Sequence, residues 1–353
     1  MGDISIKDVA KKAGVSIKTV SRVINNHKYV SEETRKKVWE AIEELRYIPS
    51  EEGKKLANLK KKKQGKIKTG NIGVILFPSY NKYSEPHFAE ILEEIDKVLI
   101  EFGMHCYFTY TLKELQENSL FLKMINPNYV DGCIFIGGEQ YKKEIERIKE
   151  RIKNLLILCD YIEDDSISCV YADGFNAGYI ATKYLIEKGH KYIGCITGHF
   201  NWPEYSQLRF LGYKKALEEE GIVYREEFVR EGKYSIEGAY NATISLLKEN
   251  PLITGIFVVS DPMAIGVYKG IEKMNLKIPE DISVISVDNI HLSEHLAPPL
   301  TTVGCDMYEM IKRAISILID EIEGRSKPGV RIVFPVKLIE RQSVKNIKGG
   351  DGI

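Results

Sequence analysis

The stretch 15-VSIKTVSRVIN-25 predicts a short helix with two unlike faces. Apolar residues recur at the spacing of a buried helical stripe, at Val20, Val23 and Ile24. The opposite face combines cations and short polar groups with one aliphatic side chain, and it has no acidic residue. Its members are Ile17, Lys18, Ser21, Arg22 and Asn25. A short helix with this outer face is suited to a partner that is both anionic and partly apolar.

The sequence on either side of this helix predicts two further helices. The segment 5-SIKDVAKKAG-14 starts with a serine–aspartate capping pattern and ends at Gly14. Ser16 is a natural N-cap for the quoted helix. A third helix is expected from Ser31 until Pro49 stops its pattern. Its expected buried residues are Val38, Ala41, Ile42 and Leu45. Two short helices across a glycine-containing turn, packed on a third, form a helix-turn-helix.

In a helix-turn-helix, the second helix lies in the major groove of DNA. Arg22 can donate two hydrogen bonds to guanine, Lys18 can reach guanine or phosphate, and Ile17 can pack on a thymine methyl group. Four short polar side chains are suited to phosphate contacts, namely Ser16, Thr19, Ser21 and Asn25. The alternative is an ordinary amphipathic helix with one stray isoleucine. The turn, the outer face and the local charge together favour DNA binding.

Charge is distributed unevenly along the 353 residues. The 50 Lys and Arg balance the 50 Asp and Glu overall, but residues 1–68 hold 18 basic and 9 acidic side chains. This segment therefore carries a net charge of +9 and the remainder −9. A solvated surface of mixed charge is the plainer explanation. A cationic segment on an acidic body also indicates a polyanionic partner, such as nucleic acid.

The six cysteines are scattered without a C-x-x-C pair, and five lie in or beside apolar runs. Small buried residues in a reducing compartment explain this pattern better than disulfides or zinc ligands. No apolar leader follows Met1, and no apolar run approaches the roughly 18 residues of a membrane span. We therefore expect a cytoplasmic, nucleoid-associated protein with no membrane partner, no metal and no cofactor.

From Gly70 onward, strand-like and helix-like segments alternate. Seven apolar runs predict strands, at 72–77, 105–110, 132–137, 155–159, 192–197, 255–260 and 282–287. Helical patterns between them include 88–103, 174–189 and 261–275. The alternation predicts two successive α/β lobes with parallel sheets covered by helices. Ligands of such sheets bind beyond the carboxyl ends of the strands, so two facing lobes share a cleft.

Polar residues follow several of these strands. They are Asp173, Ser260, Asp261, Asp288 and Asn289. Arg209 opens a helical pattern, and Tyr234 follows 229-VREGK-233. Carboxylates and a guanidinium can hydrogen-bond vicinal hydroxyls, and an aromatic ring packs on the C–H face of a sugar. Taken singly, Asp261 and Asp288 are also compatible with helix caps, Arg209 with a surface ion pair and Tyr234 with core packing.

The run from residue 6 to residue 50 closely resembles the DNA-binding head of the lactose repressor (LacI/GalR) family of bacterial transcription regulators. The stretches that carry the resemblance are DVA-x-x-AGVS, TVSRV-x-N, VS-x-x-TR-x-x-V and Y-I-P. It extends to about residue 344 through 184-YLIEKGHKYIG, 209-RFLGYKKAL, 260-SDPMAIG, 278-IPEDISV and 298-PPLTTV. The resemblance implies a homodimer, or a tetramer, on a pseudo-palindromic double-stranded operator. Positions 17, 18 and 22 would set the base preference.

The resemblance also implies the fold class: an all-α helix-turn-helix head and hinge helix, joined to a two-lobed α/β effector domain like periplasmic binding proteins. We expect the head at 1–49, a hinge helix and basic linker at 50–68, an effector-binding and dimerisation domain at 69–345, and a tail at 346–353. The first lobe is expected at about 70–172 plus 304–330. The second lobe is expected at about 173–303 plus 331–345.

In the hinge segment 50-SEEGKKLAN-58, the resemblance makes Leu56 the wedge that enters the minor groove, where apolar side chains unstack a base step. An isolated helix of about eight residues is not stable alone, so we expect it to form only when paired on DNA. Gly53 stands where the family usually has alanine and lowers helix propensity by about 1 kcal/mol. Glu51 and Glu52 place negative charge near the DNA phosphates, although their charge also interacts favourably with the N-terminus of the hinge helix.

By match to the family pattern, the effector contacts are His87, Phe88, Asp173, Arg209, Tyr234, Ser260 and Asp288. His87 and Phe88 precede AEI, where the family more often has Asn-Pro followed by two aromatic residues. Trp202, in the loop 199–207, is a second candidate aromatic platform. Met307 lies where some sugar-responsive members carry an aromatic residue.

These features predict a sequence-specific transcriptional regulator, most simply a repressor of carbohydrate-utilisation genes controlled by a sugar or sugar derivative. The alternative is a regulator that responds to a purine, a nucleoside or a protein corepressor. A sugar-binding protein without a regulatory role is a third and less favoured alternative. No P-loop, G-x-S-x-G, HExxH or clustered Cys/His motif is present, which argues against an enzyme. The sequence leaves open whether the effector releases or promotes DNA binding.

Overall fold

The computed structural model of the chain describes residues 6–24, 30–45, 67–77, 82–83, 85–117, 123–202 and 207–348. The chain divides into two units, Met1–Gly65 and Lys66–Ile353. Two of the predicted DNA contacts, Asn25 and Leu56, lie outside the described residues, as does the whole hinge segment 50–58.

Within its described residues, the first unit contains three helices: α1 (Ile6–Ala13), α2 (Ile17–Ile24) and α3 (Glu32–Leu45). Val9, Val20 and Val38 come one from each helix, and all three are buried in one small core. Gly14 has a φ of +65° at the turn after α1, a left-handed conformation that glycine adopts without strain. The predicted helix-turn-helix is confirmed.

Six strands form the sheet of the first lobe: β1 (Asn71–Leu76), β2 (His105–Thr111), β3 (Gly132–Ile136), β4 (Leu155–Leu158), β5 (Ser168–Ala172) and β11 (Arg331–Phe334). They are ordered β11-β5-β4-β3-β1-β2, and every neighbouring pair is parallel. The helices of this lobe are α4 (Pro86–Glu101), α5 (Leu112–Glu117), α6 (Lys142–Lys149) and α11 (Met307–Glu323).

Helices cover both faces of this sheet. Apolar residues of α4 and α11 pack on one face, and those of α5 and α6 pack on the other. Every residue of β3 and β4 is buried. Continuous apolar runs, rather than alternating ones, are typical of parallel strands covered on both sides.

The second lobe repeats this architecture with strands β6 (Ile193–Thr197), β7 (Val229–Glu231), β8 (Gly255–Val258), β9 (Ser283–Val287), β10 (Thr301–Gly304) and β12 (Lys337–Ile339). Its helices are α7 (Gly174–Glu187), α8 (Leu208–Glu219), α9 (Ile236–Glu249) and α10 (Asp261–Lys273). The strand order is β12-β10-β9-β8-β6-β7, with only the β10–β12 pair of this sheet antiparallel. The predicted pair of α/β lobes is confirmed.

The chain passes between the lobes three times, after β5, after β10 and between β11 and β12. The third passage corrects the expectation that residues 331–345 belong to the second lobe. Arg331–Phe334 instead pairs with Ser168–Ala172 at the edge of the first sheet. Only Pro335 and Val336 separate the two strands, so the sequence shows one apolar run where the structure has a change of lobe.

Candidate functional site

The outer face of α2 is the candidate DNA-reading surface. Ser16 caps this helix, since its Oγ accepts a hydrogen bond from the Thr19 backbone N–H at 3.1 Å. The Ser16 and Thr19 hydroxyls also lie 2.9 Å apart. Ile17, Lys18 and Arg22 are exposed, and Ile17 is 44% exposed although it is aliphatic. The structure thus places the three predicted base-reading side chains on solvent-facing positions of one helix.

In the second unit, residues that follow strands of both sheets line one cavity of about 180 Å³. Six of the seven predicted effector contacts line it: His87, Phe88, Arg209, Tyr234, Ser260 and Asp288. The volume lies below the roughly 300–1,000 Å³ of pockets for drug-sized ligands, so a small ligand fits best.

An ion pair between Arg209 and Asp288 lies in the wall of the cavity. Arg209 donates from Nη2 to Asp288 Oδ1 at 2.7 Å and from Nη1 to the Val259 carbonyl at 2.5 Å. Burial alone would lower the pKa of Arg209, but the Asp288 carboxylate offsets it and the pKa is raised. The guanidinium is therefore a fixed cation, held at the carboxyl ends of two neighbouring strands.

A buried aspartate organises the loop that carries Asp288. Asp261 is fully buried at the start of α10 and accepts hydrogen bonds from Ser293 Oγ (2.6 Å), Thr302 Oγ1 (2.7 Å) and the Ile290 N–H (3.0 Å). Burial and the nearby Asp288 carboxylate raise the pKa of Asp261 to about 6. Asp288 itself has a φ of +127°, a conformation rare outside glycine. Backbone strain of this kind concentrates at binding sites.

Aromatic rings form a second wall. Trp202 stacks on Tyr234 with ring centroids 5.4 Å apart and an interplanar angle of 23°. Phe77 meets Phe88 edge-on at 5.4 Å. A Cβ on Gly198 would come within 2.1 Å of the Tyr234 ring, so this ring position requires glycine at residue 198. The arrangement offers flat apolar surfaces beside the ion pair, which suits a ring-shaped ligand.

The start of α4 supplies further polar groups. Glu85 caps the helix by accepting a hydrogen bond from the Phe88 N–H at 2.8 Å, and Pro86 occupies the first turn. Burial raises the pKa of Glu85. His87 Nδ1 is buried and has no hydrogen-bond partner within the described part of the chain. A buried ring nitrogen without a partner is costly, and a polar ligand group can supply one.

The sequence did not predict Asp160, which the structure places in this cavity. It accepts hydrogen bonds from the Tyr161 N–H at 2.8 Å and from Gln140 Nε2 at 3.3 Å. Burial raises its pKa to about 6. The sequence pattern was the same, since Asp160 follows the apolar run 155-LLILC-159 as Asp288 follows 282-ISVISV-287. Other lining residues that were not predicted include Phe77, Gln140, Tyr161 and Tyr171.

One predicted effector contact, Asp173, and one residue noted from the family pattern, Met307, are not among the lining residues. The Asp173 carboxylate caps α7 by accepting hydrogen bonds from the Asn176 backbone at 3.0 Å and side chain at 2.6 Å. Its neighbours Ala172 and Gly174 do line the cavity. Met307 packs against the core of the first lobe and is likewise absent from the lining. The sequence had left the helix-cap alternative open for Asp261 and Asp288, but not for Asp173.

Comparison with known proteins agrees with this architecture. A family model described as bacterial regulatory proteins, lacI family, matches residues 5–50, and a periplasmic binding protein-like domain matches residues 182–344. The HTH-type transcriptional repressor PurR of Pasteurella multocida is 34% identical over 344 residues, covering 97% of this chain and 99% of the relative. PurR of Haemophilus influenzae is 33% identical over 348 residues, covering 97% and 99%.

The chain belongs to the lacI family. Two solved structures of the family are similar over nearly the whole length. The lac repressor dimer bound to operator and the anti-inducer ONPF is 25% identical with a TM-score of 0.75, covering 98% of this chain and 100% of that chain. The transcriptional regulator CelR in complex with cellobiose is 26% identical with a TM-score of 0.71, covering 96% and 99%.

Membership of the lacI family establishes the general function of the chain. The chain is a DNA-binding transcriptional repressor of the lacI family with an effector domain, and it is not an enzyme. No helix among the residues that the structure describes is long and apolar enough to cross a membrane.

Proposed function

We propose that this lacI-family repressor is controlled by a small uncharged sugar, or sugar derivative, that binds in the cavity around Arg209 and Asp288. The observation that carries the proposal is the Arg209–Asp288 ion pair beside the stacked Trp202 and Tyr234 rings. A charged pair offers both donors and acceptors to vicinal hydroxyls, and the rings can cover the C–H face of a pyranose or furanose.

The charge of the lining supports a neutral ligand. Glu85, Asp160 and Asp288 are acidic, and Arg209 is the fixed cation of the lining. A phosphorylated or carboxylated ligand would meet more carboxylates than cations, and burial makes such unbalanced charge costly. The buried His87 Nδ1, which has no partner among the described residues, and the Asp160 carboxylate add hydrogen-bonding capacity from the first lobe.

A purine base is the second candidate ligand. Relatives that are 33–34% identical over 97% of the chain are named PurR, which favours it. The same ring walls can hold a planar heterocycle, and carboxylates can accept its N–H groups. The sugar is preferred because three acids and an arginine give more hydrogen-bonding positions than a base uses.

For DNA, the proposal follows the family. A homodimer, or a tetramer of two such dimers, binds a pseudo-palindromic operator. Ile17, Lys18 and Arg22 of each head read base edges, and Ser16, Thr19, Ser21 and Asn25 contact phosphates. The hinge with Leu56 couples the effector domain to the minor groove. Nucleoid-associated, cytoplasmic action on carbohydrate genes belongs to the same proposal.

Thermal unfolding of the purified chain with a ligand panel tests the effector. The panel contains cellobiose, ribose, glucose, glucose 6-phosphate, adenine and guanine, because a ligand that binds only the folded state raises the melting temperature. The proposal expects a shift with a neutral sugar and none with its phosphate. A shift with a purine base alone would favour the second candidate, and calorimetry on each positive ligand gives its stoichiometry.

A further inference from the structure

Outside the cavity, the segment 291-HLSEH-295 brings two imidazoles and a carboxylate together on the surface of the second lobe. The segment is a short 3-10 helix, His291–His295, soon after the loop that carries Asp288. One ligand atom from each of His291, Glu294 and His295 lies within 4.8 Å of the other two. In the part of the chain that the structure describes, no other group of three His, Cys, Asp or Glu meets this condition.

The separations match those of a metal coordination sphere. His291 Nε2 lies 3.3 Å from His295 Nε2, and His295 Nε2 lies 3.5 Å from Glu294 Oε1. Zinc bound to nitrogen or oxygen at about 2.0–2.1 Å separates neighbouring ligand atoms of a tetrahedron by roughly 3.3 Å. All three ligand atoms lie within 4.8 Å of one another, so side-chain rotation, chiefly of Glu294, can bring the three groups to one ion.

The Glu294 carboxylate also contacts the first imidazole. Glu294 Oε1 lies 2.9 Å from His291 Nδ1, whereas Nε2 of the same ring faces His295. Because Nδ1 and Nε2 point in different directions, the Glu294 side chain must turn away from Nδ1 to share an ion with the two Nε2 atoms. The two rings are nearly perpendicular, at 87° with centroids 4.7 Å apart, so they do not stack.

We propose that His291, Glu294 and His295 form a binding site for a borderline divalent cation, with Zn²⁺ the best match. Imidazole ligands suit zinc, nickel and copper, whereas Mg²⁺ and Ca²⁺ take mainly oxygen ligands. Three protein ligands leave a coordination position for water or an exogenous group. The spacing is the H-x-x-E-H pattern of some zinc proteins, here on an exposed segment.

The site lies at a contact between the two lobes. The backbone N–H of His291 donates to Glu90 Oε1 of α4 at 2.8 Å. The first turn of the same helix carries His87 and Phe88, which line the cavity. A cation held by the 291–295 segment therefore restrains the part of the second lobe that meets the effector-facing helix of the first.

Calorimetric titration with Zn²⁺ tests the site on the full-length chain, purified without a polyhistidine tag and stripped with a chelator. His295→Ala removes one imidazole that is 58% exposed, so the variant is expected to fold normally, which thermal unfolding checks. Loss of a direct ligand should weaken binding by more than the roughly tenfold to hundredfold cost of losing an outer-shell partner. Glu294→Gln should weaken it as well.

The matched control is His105→Ala, because His105 is also exposed but lies at the start of β2. Its Zn²⁺ affinity should equal that of the wild type. Co²⁺ provides a second readout, since a tetrahedral site gives visible d–d absorption that His295→Ala should abolish. Absence of Zn²⁺ binding in the wild type, unchanged binding in His295→Ala, or an equal loss in His105→Ala would overturn the proposal.

Discussion

At the scale of single residues, the first prediction concerns Asp288 of the Arg209–Asp288 ion pair. Asp288→Asn keeps the shape of the side chain but removes the charge that holds Arg209 Nη2 at 2.7 Å. A hydrogen bond to a charged group contributes about 1.5–3 kcal/mol, so the affinity for the sugar should fall by about 10- to 150-fold. Calorimetry measures this loss. Glu280→Gln, an exposed acid of the same lobe, should bind as the wild type does; equal affinities for all three proteins would exclude Asp288 as a contact.

The second prediction concerns Asp160 and the pH dependence of the free energy of unfolding. Burial raises its pKa from 3.8 to about 6, so the folded state holds the proton more tightly than the unfolded state does. Its contribution to the free energy of unfolding is therefore greatest below pH 3.8 and falls as the pH rises to about 6. Asp160→Asn removes this dependence and should stabilise the protein at neutral pH by up to about 3 kcal/mol.

Urea unfolding of both proteins at several pH values measures the effect. The difference between Asp160→Asn and the wild type should grow between pH 4 and pH 6 and then remain constant. The exposed Asp165 gives the control, because Asp165→Asn should show no such growth. A difference that does not change with pH would contradict the assignment of a raised pKa to Asp160.

At this scale the sequence predicted the second-lobe residues better than the first-lobe ones. Arg209, Tyr234, Ser260 and Asp288 were named from strand ends and family pattern, and the structure brings them together. Asp160 was not predicted, because a single acid after an apolar run is as typical of a solvated loop as of a binding site. Asp173 was predicted as an effector contact, whereas the structure shows its carboxylate as the N-cap of α7, because a residue after a strand can also begin the next helix.

At the scale of elements, the crossing of α7 and α8 positions Arg209. A Cβ on Gly178 would lie 1.9 Å from the Arg209 carbonyl oxygen, so Gly178→Ala must push the two helices apart. Overpacking of this kind costs about 1–3 kcal/mol of stability, and displacement of Arg209 should weaken sugar binding as well. Gly174→Ala is the stability control on the same helix, since its Cβ would lie 3.4 Å from Leu208 Cβ. Equal stability of the two variants in urea unfolding would contradict this account.

The second prediction at this scale concerns α2, the helix that carries the candidate DNA-reading surface. Arg22→Lys keeps the positive charge but removes the planar fork that can bond guanine twice. Discrimination between operator and random DNA should fall by about 1–3 kcal/mol, while binding to random DNA changes little. Fluorescence anisotropy on both duplexes at fixed salt measures the ratio. An equal loss on both duplexes would mean that Arg22 contacts phosphate and does not read bases.

The helices and strands themselves were largely predictable, because apolar periodicity and capping residues are local signals. Ser16 illustrates this, since its predicted capping bond to Thr19 is present. The strand Arg331–Phe334 shows the limit of local signals. Whether it joins the first or the second sheet depends on which sheet edge is free, a property of the whole domain that the four residues do not encode.

At the scale of the whole molecule, the repressor must convert binding in the cavity into a change of DNA affinity. The ligand can shift this equilibrium only by its differential affinity for the two states. Allosteric coupling is commonly 1–3 kcal/mol, or about 5- to 150-fold in affinity. The cavity draws lining residues from both lobes, so a bound ligand is sensitive to their relative position.

Operator affinity measured with and without the effector tests the central claim most directly. The full-length chain and Asp288→Asn are titrated with an operator duplex obtained by in vitro selection, in the same salt. The neutral sugar with the largest thermal shift is added at saturation for the wild type. We predict at least a fivefold change of operator affinity for the wild type and little change for Asp288→Asn at the same sugar concentration. Sugar binding that leaves wild-type operator affinity unchanged, or an equal change in both proteins, would contradict the account.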